Sequence, residues 1–126
     1  MSIVVNWQSK NKQVIVARFE DPWTIDELLE ARQKWYRMIR NVLYCVPIIL
    51  DLSQTYDPPP GVLRQFIAMN RMPHPRQSWM VVFGLNPTYI KLSKHLFDGV
   101  VSPEKEIKIV NSLEDALRIT GQVELG

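Results

Sequence analysis

The sequence predicts an α/β domain in which a mixed, mostly parallel sheet is flanked by helices, in the order β-β-α-β-α-β-α-β-α. Three observations carry this. Two short β-branched segments open the chain, separated by four polar residues. Strand-sized aliphatic segments then alternate with segments of helical periodicity, the pattern of parallel strands joined by right-handed crossovers. Finally, the run at 46–52 is continuously aliphatic, as in a strand covered on both faces.

Each element has its own local cause. Residues 3–8 and 13–19 are β-branched and aromatic, and Ser9-Lys10-Asn11-Lys12 suits a hairpin loop, so the two are expected to pair antiparallel. Glu20-Asp21-Pro22-Trp23 breaks the second strand. Thr24-Ile25-Asp26-Glu27 reads as a capping box, with Glu27 reaching back to the Thr24 amide. Ile25, Leu28, Leu29, Trp35, Tyr36 and Ile39 then recur at helical spacing, predicting a helix over 24–41. Glu30 and Lys34 form an i,i+4 pair on its outer face, and Arg37 and Arg40 suit its negative end.

Pro47 restricts the next strand, 46–52, to a form in which it stands at the start. A helix over 61–72 follows, with Leu63, Phe66, Ile67 and Asn70 expected inward. Trp79-Met80-Val81-Val82-Phe83-Gly84 is a second buried strand. Asn86 and Pro87 open a helix over 87–97, with Ile90 and Phe97 inward. The alternating 106–110 segment is an edge strand. Ser112 caps a last helix with Leu113, Ala116 and Leu117 inward and Gly121 at its end. All four tryptophans are expected to be mostly shielded.

Composition limits the function classes. The chain has 126 residues, suiting one domain over 1–126; 46% are hydrophobic and 22% charged, ordinary for a globular protein. No apolar run reaches the roughly 18–20 residues of a membrane span. The opening residues lack the features of a signal peptide, and the single cysteine, Cys45, forbids an internal disulfide; both point to a cytoplasmic location. A net charge of +2 is too small to imply nucleic acid by itself.

Four local features resemble the STAS family (sulphate transporter and anti-sigma factor antagonist; SpoIIAA-like). A Thr-capped helix follows the hairpin. Ile48-Ile49-Leu50-Asp51-Leu52-Ser53 is similar to the family's strand ending in Asp-Leu-Ser. Tyr56-Asp57 before Gly61-Val62-Leu63, and the terminal Asn111-Ser112-Leu113-Glu114-Asp115-Ala116-Leu117, resemble its next two motifs. The resemblance implies a SpoIIAA/STAS-like fold over nearly the whole chain. It also implies a role in protein–protein interaction, with a regulatory kinase or anti-sigma type protein as partner.

One departure is chemical. Phosphorylation-switched antagonists carry Asp-Ser-x-Gly, whose serine is the phosphoacceptor. Here Asp57 is followed by Pro58, Pro59 and Pro60. Proline has neither a hydroxyl nor an amide N–H. The prolines therefore leave only the Gly61, Val62 and Leu63 donors to hold an anion at the helix start. They stiffen the segment into a contact ridge or, at the least, a rigid loop with Pro60 at the first helical position. Ser53 is the first candidate for a shifted phosphosite, and Thr55 is the other hydroxyl at which the switch could reappear.

No catalytic set is found. Asp51 stands where open α/β sheets place their sites, but it lacks the acidic pair and the lysine of a receiver domain, so it reads as a loop organiser. Cys45 reads as a small buried hydrophobe. His74 and His95 have no partner at metal-ligand spacing, and no phosphate loop or nucleophile elbow occurs. Cofactor and metal are accordingly expected to be absent, and the chain is not expected to be an enzyme.

Charge placement says more. All thirteen acidic residues lie outside 58–97, a stretch holding Arg64, Arg71, Arg76, Lys91, Lys94, His74 and His95. The expected partner-binding residues are Asp57, Pro58, Pro59, Pro60, Arg64, Arg71, His74 and Arg76, facing an acidic protein, with Met69 and Met72 on or beside this basic segment. The rival reading is a small-molecule or lipid carrier of SEC14/STAS type, with a cavity lined by Phe83, Ile90, Leu96 and Phe97.

Overall fold

The computed structural model describes residues 2–8, 12–56, 58–71, 74–85 and 107–120, with side chains at all of these except 63, 67, 70, 71, 79 and 107. The elements are β1 (Ile3–Trp7), β2 (Ile15–Glu20), α1 (Ile25–Ile39), β3 (Val46–Gln54), α2 (Val62–Arg71), β4 (Gln77–Phe83), β5 (Ile107–Val110) and α3 (Leu113–Ile119). The helix expected over 87–97 lies outside the described residues.

The five strands form one sheet in the order β1-β2-β3-β4-β5. β1 and β2 are antiparallel, and the other three pairings are parallel. The chain is thus α/β with a mixed, mostly parallel sheet flanked by helices, and β3 is its central strand, between β2 and β4. Pro47 is tolerated because it falls where the β3–β4 register shifts, and pairing with β2 begins only at Ile48.

Period-two alternation divides the strands between two faces. Ile15, Ala17, Phe19, Ile48, Leu50, Leu52, Met80 and Val82 join Leu28, Trp35, Ile39, Val62, Phe66 and Met69 in the main core. Both α1 and α2 cover this face, as right-handed crossovers between strands advancing in one direction require. Val14, Ile49, Val81 and Phe83 meet Ala116 of α3 on the other face. Burying each large aliphatic or aromatic side chain contributes about 1.5–3 kcal/mol.

The caps follow the sequence, with one difference. The Glu27 amide donates to Thr24 Oγ1 (3.1 Å), but the Thr24 hydroxyl, rather than its amide, donates to the Glu27 carboxylate (3.4 Å). Ser112 Oγ accepts from the Asp115 amide (3.1 Å), and α3 ends at Thr120.

Four expectations are corrected. On α2 Phe66 is buried as expected, but Met69 is core rather than interface; Val62 is buried with them, and the side chains of Leu63, Ile67 and Asn70 lie outside the described residues. Leu113 is exposed, because only Ala116 and Leu117 of α3 reach the sheet. Cys45 is exposed in the approach to β3, ahead of the buried run. Trp23 and Trp35 are buried as expected, but Trp7 is only half-buried, because β1 is an edge strand.

Candidate functional site

At the carboxyl ends of β2 and β3, hydrogen bonds knit the two following loops together. Asp51, buried at the end of β3, accepts from both the Ser53 amide (2.9 Å) and the Ser53 hydroxyl (2.6 Å) through Oδ1. Its Oδ2 lies 3.6 Å from Arg18 Nε, whose side chain is mostly exposed, so this ion pair contributes little. Asp51 thus ties down a residue of its own strand two positions on, rather than a loop as its isolation suggested.

Beyond Ser53 the backbone turns over a buried anchor. Thr55 Oγ1 accepts from Trp23 Nε1 (3.1 Å) and donates to the Phe19 carbonyl (3.2 Å), while the Trp23 ring meets Phe19 edge-on. Asp21 Oδ2 accepts from the Tyr56 amide (2.6 Å). The loop after β2, together with Phe19 of β2 itself, therefore holds the loop after β3 at three points. Thr55→Val removes one shared hydroxyl and strands both a buried indole N–H and a buried carbonyl. It is expected to cost about 1–3 kcal/mol, read as a lower urea midpoint at unchanged slope.

The proline segment leaves this anchor. Pro58 is buried, Pro59 half-buried and Pro60 exposed, so Pro58 is part of the loop's footing and not of the contact ridge. Pro60 is not the first helical residue: it and Gly61 form a turn, and α2 starts at Val62. Of the three amides expected to remain available, that of Val62 donates to the Pro59 carbonyl (3.3 Å). Beside the ridge, Tyr56 is 76% exposed and Arg64 is exposed on the first turn of α2. Asp57, like Lys91, Lys94 and His95, lies outside the described residues, and Arg71 is described only as the last residue of α2.

His74 and Arg76 stand beyond the far end of α2, at the amino end of β4, so the expected surface is divided along the helix rather than gathered in one patch. His74 Nδ1 accepts from the Arg76 amide (3.0 Å), closing the turn into β4. The His74 ring lies 5.3 Å from that of Tyr36, and Arg32 Cζ lies 5.7 Å from the same ring. Tyr36 and Arg32 of α1 thus extend the basic end of the surface. Sequence reading missed them because Tyr36 sits on the apolar stripe and Arg32 carries no motif.

Phe83, named for a ligand cavity, instead packs with Ile49, Val81 and Ala116; Ile90, Leu96 and Phe97 lie outside the described residues. Among the described residues no group of three or more His, Cys, Asp or Glu could hold a metal ion, and no helix is long and apolar enough to cross a membrane. The fold and loops define an α/β domain whose strand ends organise an exposed Tyr-Pro-Pro ridge. No protein-family model matches the chain, and no curated protein matches it.

Proposed function

We propose that the chain is a non-catalytic, STAS-like protein–protein interaction module in bacterial-type regulation or signalling, and that it is not controlled by phosphorylation of the usual loop serine. The observation that carries this is the exposed Tyr56 beside Pro59 and Pro60, on a loop anchored by Trp23, Thr55 and Asp21. Exposed aromatics on pre-ordered loops bind proteins at small entropic cost, and Tyr and Arg dominate contact energetics. Element order and Asp51-Leu52-Ser53 at a central strand's end support the STAS-like reading. Arg64 suits an acidic partner of regulatory kinase or anti-sigma type.

The local chemistry disfavours a shifted switch. A phosphate on Ser53 would place a near-dianion where its hydroxyl now meets the Asp51 carboxylate. Thr55 is buried and fully engaged. Incubation with ATP and an antagonist-type kinase is expected to leave 53–63 unmodified, as read by mass spectrometry.

The binding test uses the immobilised chain and an acidic regulatory protein of kinase or anti-sigma type. Arg64→Glu with Arg71→Glu, and separately Tyr56→Ala, are expected to abolish or sharply reduce capture, while folding stability changes by no more than about 0.5 kcal/mol per surface site. Capture should weaken as salt rises from about 0.1 M to about 1 M, since the Debye length falls from about 10 Å to about 3 Å. Unchanged capture with unchanged melting would overturn the proposal, and lipid co-purifying in stoichiometric amount would favour the carrier.

A further inference from the structure

We infer that β1 and α1 form a self-complementary surface through which a second copy of this chain binds, joining two sheets edge to edge about a two-fold axis near Val5. This surface lies on the opposite edge from β5 and is independent of the Tyr-Pro-Pro ridge.

The backbone argument comes first. Among the described residues β1 is an edge strand, paired on one side only. Its register with β2 pairs Val4 with Arg18 and Asn6 with Val16, and flanking bonds run from the Glu20 amide to the Ser2 carbonyl and from the Gln8 amide to the Val14 carbonyl. In an antiparallel ladder hydrogen-bonded pairs alternate, so the even positions of β1 bond β2. The backbone N–H and C=O groups of Ile3, Val5 and Trp7 therefore point to the open edge. Natural edges are blunted by lysine, proline, bulges or inward charges. Ile3-Val4-Val5-Asn6-Trp7 has none of these, and its register with β2 is unbroken.

The side chains then select the occupant. A groove of about 170 Å³ runs along this edge, with Ile3, Val5 and Ala31 as its apolar part and Glu27, Glu30, Lys34 and Arg37 along α1. The four charges follow 3-4-3 spacing, one helix stripe. The carboxylates lie toward the start of α1 and the cations toward its end. Among the described residues neither Glu30, Lys34 nor Arg37 has an ion-pair partner, so the expected Glu30–Lys34 pair is not formed.

A two-fold axis makes these halves complementary. Antiparallel pairing of β1 with its copy, centred on Val5, sets Ile3 against the copy's Trp7, and each such pair can exchange both backbone bonds. α1 runs in the same direction as β1, because it returns between the parallel strands β2 and β3 and β1 is antiparallel to β2. The two α1 helices would therefore lie antiparallel on one face. Glu27 then meets the copy's Arg37 while Glu30 meets its Lys34, both pairs sharing a midpoint one residue from Ala31, which meets Ile3 and Val5 in the groove. An isologous contact needs this kind of self-complementarity.

The test is sedimentation equilibrium of the chain up to about 100 µM, in about 0.1 M salt. The wild type is expected to dimerise. Glu27→Lys with Glu30→Lys, and separately Lys34→Glu with Arg37→Glu, place like charges opposite one another. Each double variant is expected to raise the dissociation constant at least about tenfold. Mixing the two restores opposite charges at every pair and is expected to recover a dimer. The Lys34/Arg37 variant leaves the Thr24 cap untouched, so it serves if the other folds poorly. A monomeric wild type overturns the inference, as does a dimer indifferent to both reversals or a mixture that fails to associate.

Discussion

Gly84→Ala is expected to destabilise the protein by about 3–5 kcal/mol, lowering its melting temperature by roughly 10–20 °C. Gly84 leaves β4 with φ +88, a left-handed conformation that costs an alanine about 1–2 kcal/mol. The larger cost is steric. A Cβ built there stands 2.3 Å from the Ser53 amide nitrogen and 2.6 Å from Ser53 Cα, both backbone atoms of the central strand. Neither can move without parting β3 from β4 and disturbing the Asp51–Ser53 hydrogen bonds. Gly61 is the control. It also has positive φ, at +78, but nothing lies within 4 Å of its added Cβ. Gly61→Ala is therefore expected to cost only about 1–2 kcal/mol. Equal costs for the two, in chemical denaturation, would mean that the β4 exit does not press on β3.

The second large effect is at the opposite end of the sheet. Trp35→Phe is expected to cost about 2–4 kcal/mol. Trp35 and Gln77 are both fully buried, and the indole donates to Gln77 Oε1 at 3.2 Å across a sequence separation of 42. Phenylalanine leaves a void where the indole's second ring sat and removes the donor from a buried amide oxygen. Gln77→Leu should also be costly, since it deprives the indole of its acceptor. The double variant should cost less than the two single costs added, with a coupling of about 1 kcal/mol in a double-mutant cycle. Strict additivity would mean that the bond contributes nothing to holding α1 over the start of β4.

Much of the fold was legible because its causes are short-range. The Thr24 and Ser112 caps rest on residues within three positions of each other. The aliphatic run of β3 marked a strand buried on both faces, and it is central. Less of the candidate site was legible. Arg64 is exposed, as its place in a basic stretch suggested, and Pro60 forms a turn with Gly61. But Pro58 is buried, and His74 serves the Arg76 amide and the Tyr36 ring at a distance from the proline ridge. No pattern in the chain distinguishes three consecutive prolines by burial; the loops that Trp23 and Asp21 hold in place do.

The sequence by itself determined the type of each described strand and helix, the central place of β3 and the lack of any hydroxyl or amide N–H at Pro58, Pro59 and Pro60. Those properties depend on periodicity, caps and the missing hydroxyl and N–H of proline. Tertiary structure placed Met69 of α2 in the core beside Val62 and Phe66, where the charge pattern had set it at an interface. It also decided the bonds between Trp23 and Thr55 and between Trp35 and Gln77, which join residues 32 and 42 positions apart. A buried donor must find an acceptor within about 3 Å, and which residue supplies it depends on the strand order of the whole sheet.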